Sequence, residues 1–474
     1  MGISGKWRDH VADLERDATV GPQPVASSLR VGPGDVNSRL TAAASRLATL
    51  LATLLATLLA TLLIGGGTVA AQPAPADSMT VREVVPGVTL RSIRRPAGPW
   101  VIRALAVDLR RPELSVRAVR ACDRLLGRER PSAIARRLRR EGVDVVGLLN
   151  ADFFDLQGGS GASESNVVVD GEVVHGVTVT ASPFDTFDNA HSQLALTAAG
   201  RPVLERFRLT GSVRTPRGEW PLAAVNAQAP YELALLTRWA DPAVITDTAS
   251  AEVAEVPLTE VARRGDTVRY RVEGAPGVGG TTVRAGRAAL RAGGSARAAL
   301  DGLQRGDAVS VVVRFDPDRG PLRTLVGGWP RVVRGGGNVA AEADAAEGTF
   351  PRFSRARHPR SAVGFSRDSL TLYLVAVDGR QRASVGMTLE ELADAMIAVG
   401  ASEALNLDGG GSTALVVVDS VVNVPSDTTG ERPVGNVVAV TRGGRRDARA
   451  DRVPARAGRV ATCIEPGRSD TRRR

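Results

Sequence analysis

From about residue 86 onward, apolar positions either alternate with polar ones or run together in short blocks between turn residues. The stretches "PGVTLRSIRR", "WVIRALAVDLR" and "LSVRAVRA" follow this rule and read as strands. In "RPSAIARRLRREG" the apolar spacing becomes helical, with Ser132 as the expected cap and Gly142 as the stop. "VDVVGLLNADFFD" then reads as a buried strand that carries Asn150, Asp152 and Asp155 at its end. Further on, "SAVGFSRDSLTLYLVAVDGR" predicts two strands joined by a turn at 366–369. "TLEELADAMIAVGA" predicts a helix with Thr388 as N-cap, Glu391 in the capping-box position and Gly400 as its stop. "SEALNLDGGGSTALVVVDSVVNVPSD" returns as strand, glycine loop and strand. This order predicts an α+β fold, a mixed, strand-rich domain with a few helices. Residues 206–323 are strand-rich and poor in reactive side chains, and read as a β-rich insertion or lobe between two halves, 86–205 and 324–442.

Composition narrows the partners. The 474-residue chain is 43% hydrophobic, enough for a substantial core, and carries a net charge of +10. That charge comes almost wholly from arginines dispersed among small residues, Lys6 being the only lysine, and the run 136–140 fits the solvated face of a helix. Aromatic residues make up 4% of the chain, too few for base-stacking platforms, so nucleic acid is not an expected partner.

Between residues 47 and 64 the tetrad "ATLL" repeats in an apolar run, preceded by Arg46 and followed by the small residues Val69 and Ala71. This is the pattern of a secretory signal cut before Gln72, within an N-terminal segment 1–71, and it predicts a secreted or periplasmic protein. An uncleaved membrane anchor is the competing reading of the same run. The polar sequence before it places the expected translation start nearer the run than Met1. Residues 72–85 read as a Pro/Ala-rich spacer, and 443–474 as a disordered basic tail. Cys122 and Cys463 either pair or remain two separate thiols. His10, His175, His191 and His358 form no zinc-binding spacing. No cofactor is required by these patterns; calcium stays open through the acidic "NADFFD", and any metal site is unknown.

Candidate chemistry gathers around "NLDGGGST". Asp408 leads into Gly409, Gly410 and Gly411, then Ser412 and Thr413. Glycines let a backbone approach a ligand and present N–H groups to an anion, and the hydroxyls add donors. The loop is neither a Walker loop nor a nucleophile elbow, and a structural turn is its plain alternative. Its company adds weight: Asn406 beside Asp408, Asp378 at another strand end, Asn150 and Asp152, and Arg360. Two carboxylates suit glycosidic cleavage, and an arginine with glycine N–H groups suits a phosphate. Each residue also has a plainer role, Asp152 and Asp155 as turn formers or calcium ligands, Asp378 in a hairpin turn, Arg360 in a surface ion pair.

The blocks "GRERPSAIARR" from Gly127, "LLNADFFD" from Leu148, "VGGWPRVVRGG" from Val326 and the long block 358–440 resemble, in order, the phosphodiester glycosidase family. The resemblance covers most of the chain from about residue 86 to 440. It implies hydrolysis of a sugar 1-phosphodiester, such as an N-acetylglucosamine-1-phosphodiester, to free sugar and a phosphate monoester. Asn150, Arg360, Asp378, Asn406, Asp408, Gly409, Gly410, Ser412, Thr413 and Asn423 stand at the family's motif positions. Asp408 is then the expected catalytic carboxylate and Asp378 the second; Arg360 and the 409–413 loop are expected to hold the phosphate. Three departures stand out: Ala151 and Asp152 where many relatives have glycines, Ser361 for a threonine, and Trp329 for a glycine. A non-catalytic module binding extracellular polysaccharide and a calcium-dependent scaffold are the two rival functions.

Overall fold

In the computed structural model, strand pairing builds three sheets, nearly all antiparallel. The described residues are 76–443, apart from 157–158, 181, 183–184, 230, 242–252 and 278–282. The apolar run 47–64, its cut site, Cys463 and all but the first residue of the basic tail lie outside them.

The first sheet has eight strands in the order Ser78–Val85, Val88–Arg95, Trp100–Asp108, Thr371–Val377, Arg360–Phe365, Glu403–Leu407, Arg331–Arg334 and Gly337–Asn338. The second has five, in the order Ser420–Val421, Leu415–Val417, Asp144–Asn150, Asn436–Arg442 and Leu114–Arg120. Arg360–Phe365 is buried at every position, and the other central strands nearly so. Such strands carry apolar runs rather than strict alternation because both of their faces are covered.

What covers them defines the layers. Leu105, Val107, Leu374, Leu405 and Leu407 of the first sheet meet Val116, Leu149, Leu415 and Val438 of the second in one core cluster. The outer face of the first sheet is covered by the helix Leu389–Val399, through Leu392, Ala393 and Met396 against Val333, Ala362 and Val375. The outer face of the second sheet is covered by the helix Pro131–Arg140, through Ile134 and Leu138 against Leu148 and Ala439. The order is therefore helix, sheet, sheet, helix.

Helix ends follow the local chemistry. Thr388 accepts the Glu391 N–H and the Glu391 carboxylate accepts the Thr388 N–H, a complete capping box, while Gly400 ends the helix at φ 111°. Thr388→Ala is expected to lower stability by about 1 kcal/mol in urea unfolding, with no change in the slope of the transition. Ser132 does not cap the other helix. Arg130 occupies the cap position and Pro131 the first turn, and the Ser132 N–H donates to Glu431 Oε1 at 2.8 Å. A proline at the start and a distant carboxylate do the work that a capping hydroxyl would have done. The arginine run on this helix is not wholly solvated either. Arg137 is buried, paired with fully buried Glu129 at 3.1 Å and with Asp123 at 2.5 Å.

The third sheet has thirteen strands. It contains the strands between Arg208 and Asp316 and continues through Glu172–Val177, Val167–Val169, Leu322–Gly327, Gln193–Thr197 and Pro202–Glu205. The 206–323 segment has a core of its own, with Leu209, Val256, Leu290 and Val311 at its centre, yet shares a hydrogen-bonded ladder with the flanking halves. Cys122 is disulfide-bonded, and Cys463 lies outside the described residues.

Candidate active site

The glycine loop connects the two sandwiched sheets. Glu403–Leu407 belongs to the first and Leu415–Val417 to the second, so residues 408–414 cross the seam between them. Gly410 adopts φ +59° and donates its N–H to Pro359 O at 2.9 Å. At Gly411 a Cβ would stand 2.1 Å from Asp427 Oδ1 and 2.2 Å from Arg432 Nη2, so a side chain there would have to displace that ion pair. The loop residues are therefore glycines for two reasons, one conformational and one steric.

Asp408 follows a strand of the first sheet and is held by the end of a strand of the second. Its N–H donates to Ala151 O at 2.9 Å, and its carbonyl accepts Asn150 Nδ2 at 2.5 Å. Its carboxylate accepts the Ser412 hydroxyl and the Gly409 N–H. Asn150, fully buried, also accepts Ser361 Oγ at 2.7 Å and the Ala414 N–H at 3.1 Å, so one amide ties the two strands and the loop exit together. Ser361 keeps the hydroxyl that the resemblance required.

Several expected ligand groups turn out to hold the scaffold. Arg360 is buried, with Nε donating to Met387 O at 2.9 Å and Nη2 to Phe353 O at 2.7 Å and Ala356 O at 3.1 Å, beneath the Phe353 ring. Burial pulls its guanidinium down to about 9, and its contacts are those of a core brace rather than a phosphate clamp. Asp378 is buried with Oδ1 accepting the Val424 N–H at 2.8 Å, and Asn423 donates to it as well. Asn423 in turn accepts the Leu415 N–H at 2.7 Å and donates to Thr413 O at 3.1 Å. Asp378 and Asn423 thus fix the strand that leaves the loop. Asn406 donates to Trp329 O at 2.6 Å and ties the loop's entry to the Trp329-Pro330 bend. Asp155 closes a turn by accepting Ser160 Oγ at 2.6 Å. Among the described residues, no three His, Cys, Asp or Glu side chains converge as metal ligands.

The cations at the loop are two arginines that the sequence reading passed over. Arg432 bonds Asp427 through Nε at 2.9 Å and reaches Ser412 Oγ through Nη1 at 3.5 Å. Arg380, exposed and at φ 60°, lies over Gly410, with Nη2 3.2 Å from where a Cβ would stand. In a chain with so many dispersed arginines, nothing in their spacing marks these two.

Glu164, Asp185 and His191 were also missed. Asp152 is buried and accepts the Ser165 N–H at 3.1 Å and Ser165 Oγ at 3.3 Å. His191 pairs with Asp185 at 2.7 Å and stacks on Trp329 at 5.1 Å, so the tryptophan that departs from the family pattern forms a wall here. Burial pushes the Asp408 carboxyl up to about 7, opposed by the Ser412 hydrogen bond and the Arg432 charge and aided by Asp152. Burial likewise raises Asp152 to about 6 and Glu164 to about 8, the latter helped by the charges of Asp152, Asp408 and Asp185.

All three shifts have the same sign. The folded protein holds protons that the unfolded carboxyls have released, so this stabilisation is complete below the unfolded values of 3.8 and 4.5. It is lost as pH rises through about 6, 7 and 8. The melting temperature should fall between pH 5 and pH 9, and Glu164→Gln should flatten that fall; an equal slope in both proteins would refute the assignment.

Residues 259–441 match the family described as phosphodiester glycosidase. The match contains the glycine loop, Arg360, Asp378 and both loop arginines, whereas Asn150, Asp152 and Glu164 lie before it. The chain is 32% identical over 158 residues to the Bos taurus N-acetylglucosamine-1-phosphodiester alpha-N-acetylglucosaminidase, a match that covers 31% of this chain and 30% of that protein. The Homo sapiens protein of the same name is 32% identical over 114 residues, 23% of this chain and 22% of that one. The chain therefore aligns with less than a third of these relatives' length. Two solved structures share the fold: a Synechocystis protein at TM-score 0.59 and 20% identity, covering 78% of this chain and 64% of that one; and a Burkholderia pseudomallei protein at 0.56 and 23%, covering 72% and 74%.

Proposed function

We propose that this phosphodiester glycosidase domain hydrolyses the glycosidic bond of a sugar 1-phosphodiester, releasing free sugar and a phosphate monoester, in a protein exported from the cytoplasm. The observation that carries this reading is the placement of one buried carboxylate, Asp408, against a glycine loop flanked by two guanidinium groups. Arg432, Arg380 and the loop receive the phosphate; the arginine side chains supply charge-assisted donors and the glycines permit close approach. Asp408 acts at the anomeric carbon. A carboxylate pushed up to about 7 suits abstraction of a proton from water at neutral pH. Asn150, Asp378, Asn406 and Asn423 hold the loop in place without touching substrate. Export is supported by the apolar run 47–64 and by the disulfide at Cys122, a bond that persists in oxidising compartments.

The test follows free reducing sugar and phosphate monoester together, using the purified full chain and a panel of sugar 1-phosphodiesters that varies the sugar and the alcohol. Equal release of both products is expected for at least one sugar. Saturable binding to glycans without release from any panel member would transfer the reading to a polysaccharide-binding module.

A further inference from the structure

We infer that Glu164 is a second catalytic carboxyl, the proton donor to the departing phosphate oxygen, which rests on the glycosidase reading above. The family's motif positions do not include it. Its placement rests on the segment after Asn150. Ala151 O accepts the Asp408 N–H at 2.9 Å and Phe153 O accepts the Glu164 N–H at 3.2 Å, so two carbonyls of one short segment hold both acidic residues. The neighbours of Glu164 are locked on either side. Ser163 Oγ accepts Arg120 Nη1 at 2.5 Å and Asn436 Nδ2 at 2.7 Å, while Ser165 is bonded to Asp152. Glu164 itself is only half-buried, and it faces the charges of Asp152, Asp408 and Asp185 with one hydrogen bond from Ser182.

The opposite signs are held elsewhere. Arg120 acts on Asp152, and Arg432 acts on Asp408. On the same wall two buried polar atoms, Asp185 Oδ1 and His191 Nδ1, have no hydrogen-bond partner among the described residues. This is a wall with spare donor and acceptor capacity beside a carboxyl that favours its proton.

The chemistry explains why a donor is useful here. A departing phosphate monoester is a good leaving group, but a dianion leaving at the loop would form next to Asp408, whose charge Glu164 also faces. Protonation keeps it a monoanion. In the step, the C1–O bond breaks with its electron pair passing to the phosphate oxygen, which takes the proton of Glu164. Water forms the new bond to C1 and gives its proton to Asp408. Solvent exchange then returns a proton to Glu164 and removes one from Asp408, so only water is consumed.

The test compares wild type, Glu164→Gln and Glu164→Asp on 1-phosphodiesters with alkyl and aryl leaving groups, across pH. Wild type should show a rate that falls at alkaline pH, where the donor ionises. Glu164→Gln should lose about 10²-fold or more in kcat and lose that alkaline fall, with the alkyl substrate hit harder than the aryl one. Glu164→Asp should recover part of the rate and the alkaline fall. An unchanged rate and profile in Glu164→Gln, with wild type releasing sugar, overturns the role of Glu164 alone; wild type releasing no sugar from any substrate overturns the glycosidase reading as well. If Glu164→Gln does not fold, the wild-type comparison decides: a weaker alkaline fall for aryl than for alkyl leaving groups supports the donor, and identical falls refute it.

Discussion

Asp408→Asn should fold as the wild type does and turn over about 10²- to 10⁴-fold more slowly, the range that a positioned acid or base contributes. An amide can still accept from the Ser412 hydroxyl and the Gly409 N–H, and the backbone bonds of residue 408 to Ala151 and Asn150 do not involve the side chain. Only the capacity to take a proton is removed. The unfolding transition should match the wild type only below the unfolded carboxyl's 3.8, where Asp408 is neutral in both states, and lie increasingly above it as pH rises through about 7. Wild-type turnover in this variant would dismiss Asp408 from the reaction, and a collapsed fold would mean that its role is architectural.

Asn150→Ala should be among the most damaging single changes in the scaffold. The substitution removes three bonds at once, to Asp408 O, Ser361 Oγ and the Ala414 N–H, all in a place without water access. Buried groups left unpaired typically cost 1–3 kcal/mol each before relaxation, so a loss of about 3 kcal/mol in urea unfolding is expected. Turnover should fall as well, because the same amide fixes where Asp408 begins. A loss below about 1 kcal/mol would show that the loop finds other partners.

The sequence revealed the parts of this site whose meaning is local. Thr388, Glu391 and Gly400 declare a helix because capping chemistry acts within one turn, and the glycines declare a bare loop because φ and crowding act at single residues. Asp408 stood out for the same reason. Other roles depended on distant pairing. Arg360 and Asp378 looked like ligand groups, yet the first braces carbonyls of 353–387 and the second anchors Val424, and neither commitment leaves a mark on nearby sequence. Arg432, Arg380 and Glu164 were invisible for the complementary reason. Each lies in a polar stretch that reads as turn, and becomes notable only when the sheets bring it to the loop. Ser132 shows the same limit on a small scale: its N–H partner, Glu431, is remote in sequence.

The loop that carries Asp408 belongs to neither sheet, and this separates the site from those perched at the strand ends of a single sheet. Its entry leaves Glu403–Leu407 and its exit joins Leu415–Val417, so the register of one sheet on the other sets the distance that residues 408–414 span. The side chains of Leu149, Leu405 and Leu415 share the core cluster between the two sheets and so set how closely those sheets pack. If Asp408 is catalytic, apolar residues that never meet a substrate set where it stands, through the register of the two sheets.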